Sequence, residues 1–177
     1  MKKKFILFLT VVLLAVTSAA ATGKEVKKMT ELRLTSQAFV HNGYIPARYT
    51  CDGNDINPPL EIEHVPAEAK SLALIVDDPD APIGMWVHWV VWNIDPATRE
   101  IAEDHVPRNA AQGKNDWKRN IYGGPCPPSG VHRYFFKLYA LDMKLNLGAG
   151  TTKKDLEKEM QGHILASAEL IGLYKRR

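Results

Sequence analysis

Residues 72–92 read LALIVDDPDAPIGMWVHWVVW. Two apolar runs, 72–76 and 87–92, bracket a short insert that carries Asp77, Asp78, Pro79, Asp80, Pro82 and Gly84. Runs of this length, rich in Val, Ile and Trp and punctuated by Pro and Gly, predict two buried strands joined by a turn. Their polar cargo is unusual. Three acids stand at the mouth of the first strand, and His88 sits inside the opening of the second. Burying a charge is costly unless something pairs with it, so a site at the strand ends is the simplest reason for these groups to be there.

Working outward, Asp95-Pro96 closes the second strand. Residues 97–120 are mostly polar and lack a period of either kind, which predicts a long excursion with one helical turn at most; loops this long in compact domains usually serve a function. Residues 122–130, YGGPCPPSG, predict a stiff exposed loop. The next run, VHRYFFKLYAL at 131–141, predicts a strong strand with His132, Tyr134, Phe136, Leu138 and Ala140 on one face. Thr151 or Thr152 is a suitable N-cap for a helix over 153–160. Gly162 interrupts it, 163–168 reads as a resumed helix, and 169–174 as a returning strand. On the other side, 31–34 alternates as a half-buried strand, 44–49 reads as another short strand, CDGNDINPP at 51–59 as a loop, and 60–62 as a short edge strand. The sum is a mostly β domain with long loops and a late helix.

The N-terminus belongs to a different category. Lys2, Lys3 and Lys4 precede a nearly unbroken apolar stretch over 5–16, followed by Ser18-Ala19-Ala20-Ala21, the layout of a secretory signal peptide spanning 1–21. The apolar stretch is short for a membrane span, so no stable membrane anchor is expected after cleavage, and the protein is expected to be periplasmic or secreted. Residues 22–30 read as a flexible leader and 31–177 as one domain. The chain holds 23 Lys and Arg against 20 Asp and Glu. Removing the three signal lysines leaves 20 against 20, which gives no electrostatic case for nucleic acid. Export places Cys51 and Cys126 where a disulfide persists; an even count permits a bridge without requiring one.

Histidines carry the sharpest chemistry. His88 and His132 each follow a Pro/Gly-rich turn and open an aromatic-rich strand, an arrangement that places both imidazoles at one end of a sheet. With Asp78 or Asp80 they would form a small polar pocket walled by Trp86, Trp89, Tyr122 and Tyr134. Imidazole donates to anions, and the N–H groups of Gly123 and Gly124 would add donors in the manner of a backbone nest. The ordinary alternatives are a core histidine and an Asp-Pro turn former. The six histidines are scattered, with no H-E-x-x-H and no C-x-x-C, so neither a metal centre nor a cofactor is expected. Ser129 and Cys126 are conceivable nucleophiles, but Ser129 lies in a Pro-Ser-Gly turn without a strand-to-helix elbow, and turn chemistry accounts for it better.

Three segments in order, Asp78-Pro79-Asp80-Ala81-Pro82, His88-Trp89, and 124–134 (GPCPPSGVHRY), resemble the phosphatidylethanolamine-binding protein family. Cys51-Asp52-Gly53 with Asn57-Pro58-Pro59, and Gly162-His163-Ile164-Leu165-Ala166, are similar to its bacterial and archaeal, Raf-kinase-inhibitor-like branch. The resemblance runs from about residue 32 to residue 174. It implies Greek-key connections around a central antiparallel sheet, a second small sheet, and an anion pocket using Asp78, His88, Gly124, Pro125, His132 and Tyr134, with Trp86 as a wall and Asp80 supporting the loop. It also implies a non-catalytic module for a phosphate or phospholipid headgroup or, alternatively, an inhibitor of a protein partner such as a serine protease, acting through residues 106–130. The chain departs from the pattern in Lys118-Arg119-Asn120 before Tyr122, and in lacking the long C-terminal helix of eukaryotic members.

Overall fold

The computed structural model describes residues 31–176. The signal peptide and leader read over 1–30 lie outside the described residues, as does Arg177. Nine strands, one 3-10 turn and one α-helix follow in the order β1 (Arg33–Thr35), β2 (Gly43–Tyr44), the 3-10 turn (Ala47–Tyr49), β3 (Leu60–Glu63), β4 (Ser71–Asp78), β5 (Trp86–Ile94), β6 (Glu100–Ile101), β7 (Ala111–Gln112), β8 (His132–Leu141), α1 (Lys153–Met160) and β9 (Ile164–Tyr174). They form a small sheet, β1-β3-β6, and a large one, β2-β9-β8-β4-β5-β7. After the β4–β5 hairpin the chain returns through a long connection to lay β8 beside β4 rather than β5, a Greek-key path. The large sheet is antiparallel except at β2, which runs parallel to β9.

Strand β4 is buried along its whole length because both faces of the large sheet are covered. Leu72, Leu74 and Val76 join Leu34, Leu60, Ile62 and Ile101 in the core between the two sheets. Ala73 and Ile75 join Val90, Trp92, Leu156 and Met160 in a second core beneath α1. A near-continuous apolar run is what a strand buried on both faces requires. Strand β8 shows the alternation expected of it: His132, Tyr134, Phe136, Leu138 and Ala140 are buried on the inter-sheet face. Helix α1 starts at Thr152, whose hydroxyl and Asp155 form a reciprocal capping box.

Three local expectations are corrected. Residues 163–168 do not resume a helix. Gly162 takes φ 80°, and Ile164 to Ala168 pair with Leu141 to Leu138 of β8 across one bulge, so long-range pairing overrides a composition that suits a helix. Residues 44–49 hold only the second residue of the two-residue β2 and a 3-10 turn instead of a longer strand, since Pro46 cannot donate to a ladder. The 97–120 excursion contains no helical turn; it holds β6 and β7, which take up the free edges of β3 and β5.

Candidate functional site

The alternation of β4 decides which acid goes where. Asp78 follows Leu72, Leu74 and Val76 onto the inter-sheet face, while Asp77 points to the opposite side and meets Lys137 and Lys153. In β5 the register against β4 slips between Trp89, opposite Val76, and Val87, opposite Asp77. The extra residue is His88. Strict alternation would send it to the α1 side with Val90 and Trp92; the β-bulge re-aims it toward Tyr134 on the inter-sheet face.

Here the strand ends and their loops enclose a cavity of about 320 Å³. Its polar wall is Asp78, His88, His132 and Tyr134; its apolar wall includes Ile83, Trp86, Trp117, Pro127 and Pro128. His132 holds its Nδ1 2.7 Å from Asp78 Oδ2, and the other Asp78 oxygen accepts the Asp80 amide at 2.7 Å. His88 Nδ1 stands 2.6 Å from the Gly123 carbonyl oxygen. That oxygen only accepts, so Nδ1 carries the proton and, in the neutral ring, Nε2 carries the lone pair. Burial lowers the pKa of His88 more than the Gly123 bond and the charges of Asp78, Asp77 and Asp116 raise it, which favours the neutral ring. Edge-on contacts with Trp117 and Tyr134, at 5.1 and 5.2 Å between ring centroids, fix its plane.

Tyr134 is 1% exposed, and its hydroxyl has no hydrogen-bond partner among the described residues. The Asp78 carboxylate and the Cys126 backbone lie near it without closing a well-formed bond. Burial first, then the Asp78 charge, hold its phenol far above the usual range, so it stays a donor. A buried donor left open calls for a partner, whether a water, an ion or a ligand. Among the described residues no group of three or more His, Cys, Asp or Glu is placed to hold a metal ion.

A profile for the family described as phosphatidylethanolamine-binding protein matches residues 35–175. The chain belongs to the phosphatidylethanolamine-binding protein family. A UPF0098 protein of Methanothermobacter thermautotrophicus is 53% identical over 150 residues, which cover 82% of this chain and 99% of that one. Another from Aquifex aeolicus is 51% identical over 152 residues, covering 82% and 89%. Among solved structures, the phosphatidylethanolamine-binding protein homologue CT736 of Chlamydia trachomatis superposes with a TM-score of 0.81 at 46% identity, covering 83% of this chain and 99% of that one. Escherichia coli YbcL gives 0.78 at 29%, covering 84% and 100%.

Within this member of the family, Asp78, Trp86, His88, His132 and Tyr134 meet at the cavity. The remaining candidates support it or lie elsewhere. Asp80 sits at the rim, where it binds the Arg133 amide and guanidinium; those bonds hold its carboxyl below the usual range. Gly124 and Gly123 offer no nest: their amides donate to Asp55 Oδ1 at 2.6 Å and to the His88 carbonyl at 3.1 Å. A side chain at Gly124 would collide with the Tyr49 carbonyl. The Pro125 carbonyl accepts from Cys51, whose sulfur is bonded to Cys126 with the two Cα atoms 5.4 Å apart. Tyr122 and Trp89 face another cavity, with Tyr122 bonded to the Tyr49 carbonyl, so neither walls the site. Arg119 stacks over Trp117, and neither it nor Lys118 lines the cavity.

Sequence reasoning missed Trp117 and Ile83, both delivered by loops. Residues 113–123 run along β5: Gly113 donates to Val90, Asp116 exchanges bonds with Val87, and Gly123 donates to His88. Buried Asn115 closes the turn through Ile121 and Arg119, which brings Trp117 over His88 and Trp86. A tryptophan within a polar excursion was the available signal.

Proposed function

We infer that this protein is exported, loses its first 21 residues, and acts in the periplasm or outside the cell as a non-catalytic binding protein for a small phosphate-type anion. A phosphorylethanolamine-like headgroup is the ligand class that best suits the cavity. The observation that carries this reading is the convergence of buried His88, His132 and Asp78 on a cavity that Tyr134, whose buried hydroxyl has no partner among the described residues, also lines. Loop prolines and a ring of aromatic edges hold these groups in place, so little ordering is left for the ligand to drive. A non-catalytic role is supported by the fate of the candidate nucleophiles. Cys126 is committed to the disulfide, and Ser129 is exposed in its turn, outside the cavity wall. A crystal structure grown with millimolar phosphorylethanolamine tests the reading. Its phosphate is expected between His88 and Tyr134; a phosphate seated elsewhere on the chain overturns it.

A second reading, an inhibitor that docks a protein partner through residues 106–130, is favoured by one observation: Trp117 and Ile121 leave 36% and 48% of their surface exposed in that segment. Replacing Ile121, which lies outside the wall of this cavity, with Asp is expected to abolish capture of a partner while headgroup binding at the cavity persists. Loss of headgroup binding with partner capture intact would reject it.

A further inference from the structure

Resting on the reading of the cavity as a phosphate receptor, we propose that it selects the anion that carries its own proton: a phosphomonoester in its monoanion form, whose P–OH donates to Nε2 of His88 while an ionised oxygen accepts from Tyr134. The fully ionised dianion, and oxyanions such as sulfate esters that have no proton to give, are discriminated against.

His88 is held in one tautomer. Its Nδ1 is committed to the Gly123 carbonyl at 2.6 Å, and the ring is 2% exposed. Nε2 therefore meets an arriving oxygen with a lone pair. An ionised oxygen there would oppose lone pair to lone pair in a buried site, the penalty of an unmade hydrogen bond between two acceptors. A P–OH group turns the same contact into a bond.

Charge acts in the same direction. No Lys or Arg lines the cavity among the described residues. The one carboxylate in its wall, Asp78 at the end of β4, has His132 of β8 as its partner. Lys118 stands outside the cavity wall, and the other neighbouring cations have partners. Arg133 of β8 binds Asp80 at the rim, Lys137 of β8 and Lys153 of α1 bind Asp77 on the opposite face of the sheet, and Arg119 stacks over Trp117. Asp116, from the loop beside β5, adds a further negative charge near His88. A second negative charge on the ligand would find no lysine or arginine in the wall to offset it. Tyr134 supplies a neutral donor, which suits one ionised oxygen.

Phosphorylethanolamine and ethanolamine O-sulfate separate the two forms. They match in shape, and below a phosphomonoester second pKa of about 6 each carries one negative charge on its acid group; only the phosphate keeps a proton. Isothermal titration of the exported, disulfide-intact protein at about one pH unit below and two above that pKa reads the preference. At the lower pH the phosphate ester is expected to bind at least about tenfold tighter than the sulfate ester. Its affinity should then decline toward tenfold per pH unit above the pKa, while the sulfate ester's stays flat. Equal affinities at low pH, or tightening as the phosphate loses its proton, overturn the proton selectivity and leave the anion receptor standing. Binding of neither ester at either pH contradicts the receptor reading and this inference with it.

Discussion

Strand β4 delivers Asp77 to the helix side of the large sheet and Asp78, one residue on, to the cavity side. Asp77 is fully buried and receives Lys137 Nζ at 2.8 and 3.0 Å and Lys153 Nζ at 2.6 Å. Asp78 is as deeply placed, yet its partners are one imidazole and one backbone amide, and open space lies beside it. The difference teaches how a fold separates structure from function within two residues. A charge kept for architecture is surrounded until it has nothing left to bind. The neighbours of Asp78 stay unsaturated: Nε2 of His88 and the buried hydroxyl of Tyr134 have no partner among the described residues.

The comparison breaks most visibly on the architectural side. Replacing Lys137 and Lys153 together by Met strands the Asp77 carboxylate and is expected to cost about 3–5 kcal/mol, measured by urea unfolding, with headgroup affinity of the folded protein unchanged. A parallel loss of affinity would show that the two faces are coupled. On the cavity side the corresponding brace is covalent. The Cys51–Cys126 bridge spans 75 residues of sequence and anchors the loop that lines the site. The double variant Cys51→Ser/Cys126→Ser should lose about 2–4 kcal/mol and, unlike the lysine variant, also weaken ligand binding by loosening Pro127 and Pro128.

A smaller effect comes from pH. Because burial lowers the pKa of His88 in the folded state, the unfolded chain takes up a proton first as pH falls below about 6.5. Stability contributed by the neutral buried ring is therefore complete above that pH. It is lost as pH falls toward the folded pKa, with a slope of at most about 1.4 kcal/mol per pH unit. Denaturant midpoints between about pH 5 and pH 8 check this, and a His88→Phe variant should lack that contribution. The smallest stability change belongs to Tyr134→Phe. Removing a hydroxyl that has no partner is expected to shift stability by less than about 0.5 kcal/mol, yet to weaken phosphorylethanolamine binding about fivefold or more. A stability loss above about 1 kcal/mol would mean that the hydroxyl is already satisfied.

Much of this was legible in the chain itself. The apolar runs of 72–92 and the alternation of 131–141 follow directly from burial on two faces and one, so β4, β5, β8 and the inward set from His132 to Ala140 stand where the pattern puts them. The cap at Thr152 is chemistry local to four residues. What escaped depends on partners distant in sequence. The bulge that turns His88 exists only in the register between β4 and β5. Composition cannot distinguish the start of β9 from a helix, because pairing with β8 decides it. Tyr122 and the two glycines sit in the right loop, but their backbone and side-chain bonds to Tyr49, Asp55 and His88 are committed inward. Trp117 enters from an excursion whose shape rests on Asn115.

The central claim, that His88 and His132 front one open receptor, is tested most directly by following the ring-nitrogen resonances of all six histidines while phosphorylethanolamine is added. The account predicts that His88 and His132 move together and saturate, with His88 keeping its proton on Nδ1, while His41, His64, His105 and His163 stay still. Immobile His88 and His132 signals at millimolar ligand, or a response confined to the four outer rings, would contradict it.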